Sequence, residues 1–303
     1  MKRILTLALV ALAAFAVVPA AGAQTPPVVP FPNAKAGAIF VSAQTVTTDG
    51  AMSNYFAPGS SVVFRAYAVD GKTRKVVTSK TSKYFYVKIP NRTNLKLKYT
   101  PRGRLASGRY AWTGTWKVPS DYAAGVVAFK VVVQIKAKRL GSFVQIPVAS
   151  SQLTVTATPQ SPPGAGPTTS TAAAGSKLSL GLYVDSVNGT RPAGAAPRPI
   201  GCTQTNVFKR GEQFVLRAWG FDLTSGAVLS MDNVTDAHFS VAGIPDVKLN
   251  WGSHGATGNK VWFWTNFWNI PKDYPLGDTT VRVVFTTIAG KVGTFDYLIT
   301  IIP

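Results

Sequence analysis

One Cys and two His among 303 residues leave little for metal or disulfide chemistry. A single copy of the chain cannot assemble a disulfide framework, a Cys/His zinc site, an iron–sulfur cluster or a haem attachment motif. Met231, Cys202, His238 and His254 are the set from which a soft copper site could be drawn, but their spacing is arbitrary. Also missing are a nucleophile elbow and a Gly-rich phosphate loop, which removes the usual scaffolds of hydrolysis and phosphoryl transfer. The expectation is a protein that is not an enzyme and needs neither metal nor cofactor. Acidic residues are scarce too, 12 Asp and Glu against 32 Lys and Arg, so the chain carries a formal charge of +20. Such an imbalance speaks to partners rather than fold, and polyanions come first among them. No apolar run after the N-terminal segment reaches the length of a membrane span.

What is present excludes a disordered or fibrous chain: 46% of the residues are hydrophobic and only 15% are charged. The N-terminus has Lys2 and Arg3, an apolar run over 4–18, and the small-residue pattern Ala21-Gly22-Ala23. This is the pattern of a secretory leader over 1–23, cleaved after Ala23, and the run is shorter than the roughly 20 residues a spanning helix needs. The mature protein is expected to be secreted, periplasmic or bound to a bacterial cell envelope.

Self-similarity organises the rest. Asn54, Phe56, Gly59, Arg65 and Asp70 reappear 152 positions later as Asn206, Phe208, Gly211, Arg217 and Asp222. The same shift carries Trp112 and Trp116 onto Trp264 and Trp268, and Tyr67, Tyr99 and Tyr110 onto Trp219, Trp251 and Trp262. It also superimposes two Pro-x-Asp-Tyr-x2-Gly corners, 119–125 and 271–277. Chance does not hold one register that long. The stretch 159–176 is almost wholly Pro, Gly, Ser, Thr and Ala, the composition of a solvated linker. The expected organisation is a first copy over 36–158, this linker, and a second copy over 177–303, lengthened by a loop near 189–201.

Short runs rich in Val, Phe, Tyr, Trp and Thr, broken by Gly, Pro, Asn or Asp, predict strands throughout. In the first copy they fall near 38–46, 61–69, 75–79, 83–89, 94–99, 108–118, 126–137 and 143–156. Over 94–99, Leu95, Leu97 and Tyr99 alternate with Lys96 and Lys98, which predicts one strand with an apolar face and a basic face. About seven strands per copy suit an all-β antiparallel sandwich. The corner that follows a Trp-bearing strand and precedes a long Val-rich one resembles bacterial immunoglobulin-like domains of exported and surface proteins. That resemblance implies adhesion, spacing or ligand display, and brings no catalytic residue with it.

Charge separates the copies. Residues 24–158 hold 19 Lys and Arg against three Asp, while 159–303 hold 11 against nine acids. The candidate polyanion-binding residues are Lys72, Arg74, Lys75, Lys96, Lys98, Arg102, Arg104, Lys136, Lys138 and Arg139. An anionic envelope polymer or anionic lipid headgroups suit an exported protein; nucleic acid does not, since no nucleic-acid motif is present. Every Trp occupies a position that is aromatic in both copies, which reads as shared core. Phe263 and Phe267 lack such counterparts. If Trp262, Trp264 and Trp268 point inward, both Phe rings lie on the outer face as an exposed pair. They are the candidate contacts for the other copy or for a protein partner. The alternative function is therefore a structural spacer or partner-binding subunit acting through the second copy.

Overall fold

The computed structural model describes residues 35–101, 110–145, 151–157, 177–189, 203–254 and 261–303. The leader, Arg102, Arg104, the 159–176 stretch, most of the 189–201 loop and Cys202 lie outside the described residues. Within them the chain is all-β, with no α-helix, and no helix long and apolar enough to cross a membrane.

The N-terminal half contains β1 (Ile39–Val46), β2 (Tyr55–Phe56), β3 (Ser61–Asp70), β4 (Lys75–Val76), β5 (Ser82–Lys88), β6 (Leu95–Lys96), β7 (Lys98–Pro101), β8 (Tyr110–Lys117), β9 (Gly125–Val126), β10 (Lys130–Ile135), β11 (Leu140–Val144) and β12 (Thr154–Val155). The C-terminal half contains β13 (Leu180–Asn188), β14 (Val207–Lys209), β15 (Gln213–Asp222), β16 (Val234–Val241), β17 (Val247–Lys248), β18 (Asn250–His254), β19 (Val261–Asn269), β20 (Gly277–Thr287) and β21 (Val292–Ile302).

One sheet of the N-terminal half runs β1-β3-β8-β7 and faces a second, β11-β10-β5-β6, across a core that includes Phe64, Phe85, Trp112, Phe129 and Val131. In the C-terminal half, β13-β15-β19-β18 faces β14-β21-β20-β16-β17. In strand letters these are A-B-E-D against G-F-C-C′, the order of an immunoglobulin-type sandwich. A short A′ strand completes it by pairing parallel with the last one, β2 with β12 and β14 with β21. Among the described residues, no strand of 39–155 pairs with a strand of 180–302.

The repeated residues make repeated contacts. Ile39 pairs with Asp70 and Leu180 with Asp222. Trp112 Nε1 donates to the Val77 carbonyl at 3.0 Å, and Trp264 Nε1 to that of Leu229 at 2.8 Å. Gly59 and Gly211 both adopt φ of 79°, a left-handed turn open to Gly at no steric cost. At the corners, Trp116 meets the edge of Tyr122 at 5.2 Å and Trp268 that of Tyr274 at 4.8 Å.

The 94–99 expectation needs correction. Leu95–Lys96 pairs with β5, whereas Lys98–Pro101 pairs with β8 in the opposite sheet. The chain changes sheets at Leu97, which is buried, and Leu249 makes the same step between β17 and β18. Lys96 and Lys98 therefore lie on two different sheets and not on one strand face.

The halves are packed together. Every residue of β1 and of β13 is buried, Ser42, Gln44, Asp185 and Ser186 included, because both faces of each strand are covered. Across the contact Phe40 meets Phe221 at 5.1 Å and Phe143 meets Tyr183 at 5.7 Å. Hydrogen bonds cross it reciprocally. Met52 N donates to Asn206 Oδ1 (2.7 Å) and Gln204 N to Asn54 Oδ1 (3.2 Å), both pairs being related by the 152-residue shift. At the opposite end of β1 and β13, Gly37 N donates to the Leu223 carbonyl and Leu178 N to that of Arg74. A void of about 20 Å³ remains between Tyr67, Val69, Leu180 and Phe295, room for one water at most.

Candidate basic site

The antiparallel order places the turn after β3 and the turn between β10 and β11 at the same end of the N-terminal half. Arg139 joins them, donating to the Asp70 carboxylate and, at 2.8 Å, to the Gly37 carbonyl. Burial raises the Asp70 carboxyl, but the Arg139 guanidinium and the N–H groups of Lys72 and Thr73 outweigh it and hold the carboxyl below its usual range. Lys136 N donates to the Thr81 carbonyl, which docks the second turn beside the start of β5. Lys72, Lys75, Lys136 and Lys138 are exposed on these turns, and Arg74 is partly so. Arg74 and Lys138 sit at φ near 60°, in the left-handed region that turns of this tightness require.

The same end of the C-terminal half provides an internal control. There Lys291 pairs with Asp222, whose carboxyl is likewise raised by burial and pulled lower overall by Lys291 and two backbone N–H groups. The ion pair is thus common scaffold, and Arg139 is engaged in it. The positions matching Lys72, Arg74, Lys75, Lys136 and Lys138 are Thr224, Gly226, Ala227, Ile288 and Gly290. Five cations are unique to the first half, and none of them is needed for the fold.

Of the ten predicted residues, the structure gathers Lys72, Arg74, Lys75, Lys136, Lys138 and Arg139 at this end. Lys96 and Lys98 are exposed on separate sheets, and Arg102 and Arg104 are not described. Sequence reading overlooked the outer face of β10 and β5, where Tyr84, Tyr86, Lys88 and Lys130 lie together. Period-two alternation along 84–88 was the signal that groups them.

The aromatic expectations divide. Trp112, Trp116, Trp264 and Trp268 are core, and Trp251 and Trp262 are half-buried neighbours 5.9 Å apart. Trp219 and its counterpart Tyr67 are buried on the face between the halves. Phe263 corrects the expectation of an exposed pair: it faces outward from its own sandwich but is only 4% exposed. It packs on Trp219 at 5.0 Å and under the ring of His254 at 4.2 Å. Phe267 is 49% exposed.

Beside Trp219, Arg217 makes two hydrogen bonds of 2.7 Å to Asp185, and Arg217 NH1 reaches Ser151 Oγ in the other half at 2.8 Å. Gln204 and the Tyr183 hydroxyl complete the shell of Asp185. In the first half Gln44 stands opposite Arg65 instead. Burial lowers the Arg65 guanidinium to about 10, against the opposing pull of Asp49, so it stays charged at neutral pH. The copper set does not come together. His238 lies between Asp236 and Asp246 on one sheet, His254 stacks on Phe263 on another, and Met231 is exposed. Among the described residues no three His, Cys, Asp or Glu side chains form a metal-binding group.

No protein-family model matches the chain, and no curated protein matches it. Among solved structures, the chain is similar at 12% identity to one titled "Structures of Clostridium thermocellum CbhA fibronectin(III)-like modules", over 86% of this chain and 94% of that one, with a TM-score of 0.23.

Proposed function

We propose that the chain is an exported, non-enzymatic binding protein of the bacterial envelope. It is built from two tandem immunoglobulin-like sandwiches joined by the 159–176 linker, and its first half docks on an anionic polymer or surface. The observation that carries this reading is the internal control at the basic end. Two equivalent pairs of turns, each tied by the same ion pair, differ in that one displays Lys72, Arg74, Lys75, Lys136 and Lys138 and the other displays no cation at the matching positions. Cations that a fold does not need, clustered on one end, raise the local concentration of polyanions and steer them to that end. The secretory leader supplies the location and makes nucleic acid the poorer partner.

The test uses the whole chain, because separating the halves would expose their buried contact. Lys72, Lys75, Lys136 and Lys138, all changed to Gln, should bring elution from a sulfated or phosphate-bearing column forward by on the order of 0.1 M salt. Unchanged retention removes the reading. A second reading, a spacer or partner-binding subunit, rests on half-exposed Phe267 alone, since Phe263 is already buried. Loss of a protein partner in Phe267→Ser, with polymer retention unaltered, would favour it.

A further inference from the structure

The outer face of the β11-β10-β5-β6 sheet is open, and its register puts three rows of side chains on it. Leu140, Gln134 and Tyr84 form the first row, Ser142, Val132, Tyr86 and Lys96 the second, and Val144, Lys130 and Lys88 the third. Lys88, Lys96 and Lys130 are exposed, and Leu140 and Val144 are 61% and 45% exposed. The Tyr84 and Tyr86 rings lie side by side at 5.2 Å, and Lys88 Nζ sits 5.9 Å from the Tyr86 ring centroid. None of the side chains in these rows is acidic. The matching face of the C-terminal half has Asp236 and His238 where the two Tyr stand, Ser240 for Lys88 and Asp296 for Val144. Arg282 and Lys248 match Lys130 and Lys96, but Arg282 is paired with Asp296. The ring pair, and cations with no acid beside them, therefore belong to the first half alone. Successive residues on one face of a strand are about 7 Å apart, so Tyr84, Tyr86 and Lys88 form a straight track, and Ile135 leads directly from it to Lys136 at the basic end.

We propose that this face is a binding track for a linear anionic polysaccharide, with Tyr84 and Tyr86 stacking on sugar rings and Lys88, Lys96 and Lys130 pairing with its carboxylate or sulfate groups. The inference rests on the polyanion reading above and narrows its ligand. Charge complementarity requires an anionic occupant, and a flat ring pair between cations suits one that also presents ring faces. Export from the cytoplasm selects a glycan over a single-stranded nucleic acid, which would otherwise use the same combination.

The experiment compares polygalacturonate, which has rings, with inorganic polyphosphate, which has none, on the full chain. Tyr84→Ala with Tyr86→Ala should weaken polygalacturonate binding on the order of tenfold or more, the scale of aromatic stacking, and leave polyphosphate binding within twofold. Tyr84→Phe with Tyr86→Phe should retain wild-type binding of both, which also shows that the site tolerates exchange at these positions. The four-Lys variant of the basic end should lose affinity for both polymers. Equal loss of both polymers in the Ala variant, or no loss of polygalacturonate, overturns the track but leaves the basic end intact. Failure of the wild-type chain to bind either polymer overturns both readings. Tighter, Tyr-dependent binding of a single-stranded oligonucleotide overturns the glycan assignment.

Discussion

Arg65 and Arg217 occupy one position of the repeat and meet opposite fates. Arg217 is 3% exposed and fully neutralised by Asp185, whereas Arg65 faces Gln44. A buried pair is weak evidence of net stabilisation, but removing one partner leaves an uncompensated charge and costs about 3 to 5 kcal/mol. Asp185→Asn should therefore lower stability on that scale by denaturant unfolding. Asp185→Leu combined with Arg217→Met should cost much less. If the double variant is as damaged as the single one, the pair's link to Ser151 outweighs the stranded charge. None of this was legible beforehand. The spacing of two along one strand does set Arg217 beside the Trp219 ring, 5.5 Å from its centroid. Asp185 could not be matched to Gln44, because the 189–201 insertion breaks the register between them.

Strands and corners were readable because each depends on nearby residues: alternation marks β3, β5 and β10, and the Pro-x-Asp-Tyr-x2-Gly corners mark their own turns. What alternation cannot reveal is which sheet a strand joins. Leu95, Leu97 and Tyr99 keep perfect period two while the backbone passes from one sheet to the other. Gly141 and Gly293, 152 positions apart, owe their identity to a contact that alternation does not show, the packing of β11 against β1 and of β21 against β13. A Cβ at Gly141 would stand 2.7 Å from that of Ile39, and one at Gly293 2.8 Å from that of Leu180. Gly141→Ala should accordingly destabilise by about 1 to 3 kcal/mol, the usual cost of overpacking. A melting temperature equal to wild type would mean that β11 shifts freely along the edge of β1.

At the scale of the whole molecule, the sequence shows two copies and a linker but not how the copies meet, and the structure buries an entire strand of each where they do. The hydrophobic pattern shows that Phe40, Tyr67 and Trp219 want cover but does not say what supplies it. The basic end borders this contact, since Leu178 N donates to the Arg74 carbonyl and Gly37 N to that of Leu223, yet Lys72, Lys75, Lys136 and Lys138 stay exposed beside it, as do Lys88, Lys96 and Lys130 on the Tyr-bearing face.

The reciprocal bonds of Met52 with Asn206 and of Gln204 with Asn54 are the pattern two independent polypeptides produce when they meet about a twofold axis. A junction of that type holds through its own surface, and a connecting segment adds only effective concentration. Opening the backbone at a protease site introduced within 159–176 should hence yield two fragments that travel as one particle on a sizing column. Their separation without denaturant would show that the peptide connection, rather than the matched surfaces, keeps the halves in register.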